Sequence, residues 1–314
     1  MRNGLKLWLR NDGQRHRIRC FQPLKSPSTA AMANKQLSKL PPLMCGSAPC
    51  PTIPGSPAAD STLSAAGRSG PKAGEAQLIK AHTTPVVALP GTFCAPRIFA
   101  RLAAIITDEY QLEALSWMTD APAWSIDELA EWVASFIEEH FRKVILIGHS
   151  TGGAIALRLA GLRPDLIRGL MLINTGPNMN HHDGVLGLVA DIEQDRMSAA
   201  VHAVLQRCFH IQPSPDDLQA LLDYGLAVPP RAALDVLHSQ HRTDLLPSLG
   251  AVQVPVAVVH GRHDRVRSVF EARVMAASVP DGSLIMASCG HSPMYEVPEL
   301  VSSALRELDR RTRA

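Results

Sequence analysis

Lys143-Val-Ile-Leu-Ile-Gly-His-Ser-Thr-Gly-Gly-Ala-Ile-Ala-Leu-Arg-Leu-Ala160 is the stretch that decides the fold. Val144 to Ile147 is a short, wholly apolar run rich in β-branched side chains, the pattern of a strand buried on both faces. An Ala/Leu-rich run with helical spacing follows Gly152. Between them, Gly148-His-Ser-Thr-Gly152 must turn sharply, with Ser150 at the apex. Five residues with two free positions recur by chance, but strand, elbow and helix in this order make the match informative. The turn needs residues without a Cβ at Gly148 and Gly152, where backbones crowd. It lifts the Ser150 hydroxyl out of the sheet and aims the first N–H groups of the next helix at whatever Ser150 attacks.

The same rhythm extends outward in both directions. Thr84–Gly91 reads as an apolar strand ending in a Pro-Gly turn. Ala95–Ile106 reads as an amphipathic helix with Pro96 at its start. Tyr110–Trp117 reads as a further strand. Ser125-Ile-Asp-Glu128 is a capping box that opens a helix to about His140. Leu170–Asn174 is another buried strand. From about 177 to 250 the pattern is helical only, with candidates at 185–195, 197–209, 214–226 and 230–240. Strand Pro255–His260, helix 268–278, strand Ser283–Ala287 and helix 297–310 complete the chain. Strands alternating with helices of this length imply a mostly parallel sheet with crossover helices, interrupted by a helical insert.

The 314 residues carry a net charge of only +2, unevenly distributed. Residues 1–80 hold 12 Lys/Arg and 3 Asp/Glu; the remainder holds 19 and 26. An acidic body argues against nucleic-acid binding there. Residues 1–40 read as a basic extension, disordered or processed, compatible with organelle targeting or with an upstream stretch before a start at Met32. A hairpin of Leu5–Arg10 with Arg15–Phe21 around Asn11-Asp12-Gly13 is a third reading. Residues 41–82 read as a Pro/Ser/Gly-rich linker. The α/β core is expected at 83–176 and 251–314, and the helical insert at 177–250. Six scattered cysteines without a C-x-x-C pair imply reduced thiols and a cytoplasmic setting. No apolar run reaches the length of a membrane span.

A serine hydroxyl needs a base within reach and a third group to orient that base. In a parallel sheet these belong at the C-terminal ends of later strands. Asp264 lies just beyond the strand ending at His260, in Gly261-Arg-His-Asp264. His291 follows the next strand, in Ala287-Ser-Cys-Gly-His291. The order Ser150, Asp264, His291 is the one expected of this elbow.

With Leu89-Pro-Gly-Thr-Phe93, Gly148-His-Ser-Thr-Gly-Gly153, Gly261-Arg-His-Asp264 and Cys289-Gly-His-Ser-Pro-Met-Tyr-Glu-Val-Pro-Glu299, the region from about 84 to 310 resembles the α/β-hydrolase superfamily. The resemblance implies a sheet of about six to eight strands flanked by helices, with a small helical cap. It implies Ser150 as nucleophile, His291 as base and Asp264 as acid. The backbone N–H groups of Thr92 and Thr151 correspond to the oxyanion donors. Pro90 stands where most members have His. Members also have two strands before the one at 84–90, where this chain has its linker, so a six-stranded sheet is expected. The implied reaction is hydrolysis of a small or medium carboxylic ester through an acyl-enzyme. Thioesters, lactones, carbon–carbon bonds and cofactor-free perhydrolysis are open on the same machinery, as is a non-catalytic binding role. Serine at the elbow disfavours the epoxide hydrolases and haloalkane dehalogenases. The expected partner is a small molecule, with no cofactor and no metal.

Other candidates have plainer readings. His149 packs or hydrogen-bonds locally, His260 is structural, and His263 lacks independent support as a base. His181-His-Asp183 reads as a solvated loop rather than a metal site. Asp281-Gly282 reads as a turn and Cys94 as a buried, inert thiol. The insert should cover the site, with a few of Val185, Leu186, Leu188, Val189, Met197, Val201, Val204, Leu205 and Phe209 facing the pocket. Its lack of Trp favours an aliphatic acyl group. Arg196, Arg207, His210 and Arg231 could meet an anionic carrier or simply lie on a solvated face.

Overall fold

The computed structural model describes residues 83–180, 182 and 184–313. The basic extension, the linker and the Leu5–Phe21 hairpin of the sequence reading lie outside the described residues. The elements begin with β1 (Thr84–Leu89), α1 (Ala100–Ile106), β2 (Tyr110–Ala114), α2 (Trp117–Asp120), α3 (Ile126–His140), β3 (Val144–His149), α4 (Thr151–Leu162) and β4 (Ile167–Ile173). Four helices without a strand follow: α5 (Gly184–Glu193), α6 (Met197–Cys208), α7 (Pro215–Ala227) and α8 (Pro230–Arg242). The chain then returns to β5 (Val256–Gly261), α9 (Val269–Ser278), β6 (Gly282–Ala287), α10 (Pro293–Glu296) and α11 (Pro298–Arg311).

The described strands form one six-stranded sheet in the order β2-β1-β3-β4-β5-β6. Every pairing is parallel. A parallel sheet needs both faces covered, and β3 and β5 are buried at every residue. α3 packs on α4 and α1 on α11, and the right-handed crossovers that parallel strands adopt put α3, α4 and α9 on one face and α1 on the other. The chain moves outward from β1 to β2 and then back past β1 to β3. The carboxyl ends of β1 and β3 therefore flank the point where strand order reverses, the place where such sheets open a crevice. Leu89 pairs with Gly148 there, so the loop after β1 and the elbow after β3 emerge side by side.

Local signals explain most boundaries. Ser125 caps α3: its hydroxyl accepts the Glu128 N–H at 3.2 Å, and the Glu128 carboxylate accepts the Ser125 N–H at 3.1 Å. Such a box contributes about 1 kcal/mol. Two elements differ from the sequence reading. The segment after Ala95 starts as a 3₁₀ turn, Pro96–Phe99, before α1. The strand expected over Tyr110–Trp117 ends at Ala114, because Trp117 turns inward, is fully buried and donates its indole N–H to Pro90 O at 2.9 Å. Among the described residues no helix is long and apolar enough to cross a membrane.

Candidate active site

Ser150 sits at the apex between β3 and α4 with φ 53° and ψ −120°. A non-glycine residue there costs about 1–3 kcal/mol and persists only if its surroundings hold it. They do. Ser150 N–H donates to Ile173 O at 3.0 Å, and Ser150 O accepts from Gly153 N at 2.9 Å and from the Thr175 hydroxyl at 2.7 Å. The elbow is tight enough that a Cβ on Gly148 would lie 2.5 Å from Gly152 O, and one on Gly152 would overlap Leu89 O. With its backbone engaged, Ser150 presents a hydroxyl that makes no hydrogen bond among the described residues. It opens into a cavity of 240 Å³ that His291, Thr92 and Thr151 also line.

His291 Nδ1 lies 2.8 Å from Asp264 Oδ2, and both side chains are almost wholly buried. Asp264 receives three further donors. Asn174 Nδ2 reaches Oδ2 at 2.5 Å, and the N–H groups of Val266 and Arg267 reach Oδ1 at 2.6 and 3.1 Å. Burial alone would raise the Asp264 pKa. The charge and hydrogen bond of His291, with the two backbone donors, outweigh it and hold the carboxyl well below the usual range. Asp264 is therefore an anion aimed at one nitrogen of His291, which leaves Nε2 for the cavity side. Asn174, at the end of β4, itself has φ 45°. Its Oδ1 accepts the Gly261 N–H at 3.1 Å, and its Nδ2 also reaches Gly290 O at 3.2 Å. It thus ties together the ends of β4, β5 and the loop after β6. The sequence reading did not single out Asn174; an amide ending a buried apolar strand at this sheet edge was the available signal.

Thr151 is the first residue of α4, so its N–H has no intrahelical acceptor. Among the described residues the Thr92 N–H makes no hydrogen bond either. The two side chains meet, with Thr92 Oγ1 2.8 Å from Thr151 Oγ1, and Thr151 donates to Gln240 Oε1 at 3.0 Å. Each hydroxyl has one proton, so Thr92 donates to Thr151 and Thr151 to Gln240. Gln240, buried on α8, couples the helical insert to both N–H groups; no local sequence signal marks it. Pro90, the departure from the superfamily pattern, uses its carbonyl to receive Trp117.

His149 is fully buried and bridges these halves. It accepts the Gly91 N–H at Nδ1 (3.3 Å), so Nε2 must carry the proton donated to His291 O at 2.9 Å. A second proton would have to face the Gly91 N–H. Burial first, and then His291, lower its pKa to about 3. The unfolded ring takes up a proton near its ordinary 6.5. Stability is therefore complete above that pH and falls as pH drops below it, by about 2 kcal/mol between pH 7 and pH 5. Urea unfolding at the two pH values should show wild type losing about 2 kcal/mol more than His149→Gln. Equal losses would rule out this role for the ring.

The other singled-out residues lie apart from this chemistry. His263 stacks on His210 with ring centroids 4.2 Å apart. His260 is fully buried in β5 with neither ring nitrogen hydrogen-bonded among the described residues, and burial lowers its pKa. His182 lies 3.9 Å from Glu271 Oε1 and lines the cavity, while His181 and Asp183 are outside the described residues. Cys94 and Cys208 are buried on the cavity wall. A hydrogen bond with Cys94, and then burial, push the Cys208 thiol up, so it stays protonated. Of the nine apolar insert residues, Val185, Leu188 and Val204 face the cavity, and Leu186 is exposed. No Phe, Tyr or Trp lines it among the described residues.

Comparison with known proteins agrees with this architecture. A pimeloyl-acyl-carrier-protein methyl ester esterase of Nitrosomonas europaea is 26% identical over 191 residues, covering 56% of this chain and 73% of that protein. The crystal structure of an enol-lactonase from Burkholderia xenovorans matches with a TM-score of 0.69 at 17% identity, over 74% of this chain and 93% of that one. A bromoperoxidase from Bacillus anthracis matches with a TM-score of 0.67 at 16% identity, over 73% and 92%. A model of the alpha/beta hydrolase family matches residues 86–304, well over half of the sequence, and the chain belongs to that family.

Proposed function

We propose that this protein is a serine hydrolase of small carboxylic esters, with Ser150 as nucleophile, His291 as base and Asp264 as the acid that orients it. One observation carries the reading: Ser150, held at positive φ with its hydroxyl free, opens into the same cavity as a histidine whose far nitrogen is bound by a buried carboxylate. His291 takes the Ser150 proton as Oγ attacks the ester carbonyl. The N–H groups of Thr92 and Thr151 stabilise the oxyanion of the tetrahedral intermediate. His291 then protonates the departing alcohol, leaving an acyl group on Ser150. Water, deprotonated by His291, releases the acid and restores the hydroxyl. Asp264 stays ionised throughout and stabilises the imidazolium. The esterase named among its relatives supports the substrate class. Lactones and thioesters need the same steps, and a described wall with aliphatic but no aromatic-ring side chains of Phe, Tyr or Trp suits an aliphatic acyl group better than a large aromatic one.

A fluorophosphonate probe tests the reading directly. Wild-type protein should be labelled at one site, on the peptide containing Ser150. Protein that stays unlabelled, or that carries the label on another residue, would leave a non-catalytic binding role as the better account.

A further inference from the structure

The four basic residues of the insert that the sequence left ambiguous have separate fates. Arg196 pairs with Asp191 at 2.6 Å and Arg231 with Asp235 at 3.3 Å, both toward solvent. His210 stacks on His263. Arg207 alone lines the cavity, half-buried on α6. Its Nε donates to Ala203 O at 3.0 Å, which spends one donor and fixes the guanidinium. Its Nη1 lies 3.4 Å from where a Cβ on Gly184, another wall residue, would stand. No carboxylate among the described residues pairs with it. Arg265, one residue after Asp264, lines the same cavity and likewise forms no ion pair among the described residues. The third wall arginine is different: Arg267 is buried against Glu271 at 2.7 Å and donates to Asn178 O, so its charge is neutralised within the protein.

Among the described residues no Asp or Glu lines the cavity. Asp264 is engaged by four donors behind His291. Arg207 is half-buried and Arg265 exposed, so an anion entering the cavity would meet two cationic side chains that have no acidic partner among the described residues. Guanidinium is also the side chain best matched to a carboxylate, which it binds through paired N–H donors. Val185, Leu188, Val204 and Leu237 add aliphatic surface to the same wall. The cavity measures 240 Å³.

We propose that the substrate is a short aliphatic ester bearing a carboxylate at its other end, with Arg207 and Arg265 as the residues that bind that carboxylate. This rests on the ester-hydrolase reading above and narrows its substrate class. The ester carbonyl sits at Ser150, between the N–H groups of Thr92 and Thr151. The methylene chain crosses the aliphatic wall, and the distal carboxylate meets the guanidinium groups. Chain length then acts as a ruler, because both ends are fixed.

The test compares monomethyl half-esters of succinate, glutarate and adipate with the corresponding methyl ester amides, in which a neutral carboxamide replaces the carboxylate at nearly equal size. For the best chain length, kcat/KM of the half-ester should exceed that of the amide about ten- to a hundredfold, and the ratio should fall with added salt. Arg207→Gln and Arg265→Gln should each cut the ratio about tenfold or more, and Arg207→Lys should retain part of it. Arg231→Gln, which removes a charge from the exposed face of the insert, should leave the ratio intact. Hydrolysis of the amides as efficiently as the half-esters, or a ratio equally sensitive to Arg231→Gln, overturns the proposal while the hydrolase reading stands. Hydrolysis of neither series, together with no fluorophosphonate labelling, overturns both.

Discussion

Ser150→Ala should lower kcat for a simple ester such as p-nitrophenyl acetate by about six orders of magnitude. The proposed mechanism passes through a bond to Oγ, and the elbow's other hydroxyl, on Thr151, is engaged by Thr92 and Gln240. The variant should fold normally. Ser150 Oγ makes no hydrogen bond among the described residues, and every contact that holds the residue at φ 53° uses its backbone. Alanine meets the same φ penalty as serine, so stability should change by less than about 1 kcal/mol. KM or inhibitor binding should change little, since the cavity wall and the proposed oxyanion donors, the N–H groups of Thr92 and Thr151, remain. Thermal unfolding separates this outcome from a folding defect, and residual turnover of about 10³- to 10⁴-fold over the uncatalysed rate would reflect the oxyanion donors and binding alone. A variant that kept a tenth of the wild-type rate would exclude Ser150 as the nucleophile.

The parts of this site that could be read from sequence are those whose chemistry is local. Val144–Ile147 announces a buried strand by composition, Gly148 and Gly152 announce a crowded turn, and Ser125 with Glu128 announces a helix start. That Asp264 and His291 meet at one edge was legible because each lies just past a strand, and parallel strands deliver their C-terminal ends to one edge. Asn174, Gln240 and Trp117 were not legible in their roles. Asn174 meets Asp264 across 90 positions, and Thr151 meets Gln240 across 89. No periodicity or spacing reports such a meeting. The strand expected over Tyr110–Trp117 was overextended for the same reason, because Trp117 follows a distant acceptor, Pro90 O, rather than its local β-propensity. The basic residues of the insert illustrate the limit best. Arg196, Arg207 and Arg231 look alike in sequence, and only packing separates the two with carboxylate partners from the one that faces the cavity.

Asp264→Asn should lower kcat by about 10⁴ while the protein remains folded. Every described hydrogen bond to this carboxylate comes from a donor: Asn174 Nδ2 and His291 Nδ1 at Oδ2, and the N–H groups of Val266 and Arg267 at Oδ1. An amide must place its NH₂ against one of these pairs. With NH₂ on the His291 side, it opposes Asn174 Nδ2, His291 Nδ1 becomes an acceptor, Nε2 carries the proton, and the ring can no longer take one from Ser150. With NH₂ on the other side, it opposes two backbone N–H groups and the loop at Val266 is strained. Each arrangement sets donors against donors and costs stability of about 1–3 kcal/mol, and the first also removes the base. The two contributions separate experimentally, because strain moves the urea midpoint whereas the wrong tautomer moves kcat. The lost activity should recover partly as pH rises and hydroxide substitutes for the base, and KM should change far less than kcat. Asp264→Asn protein with near-full turnover, folded and labelled by fluorophosphonate at the wild-type rate, would show that another group orients His291. Asn174, already 2.5 Å from the carboxylate, would then be the first position to replace.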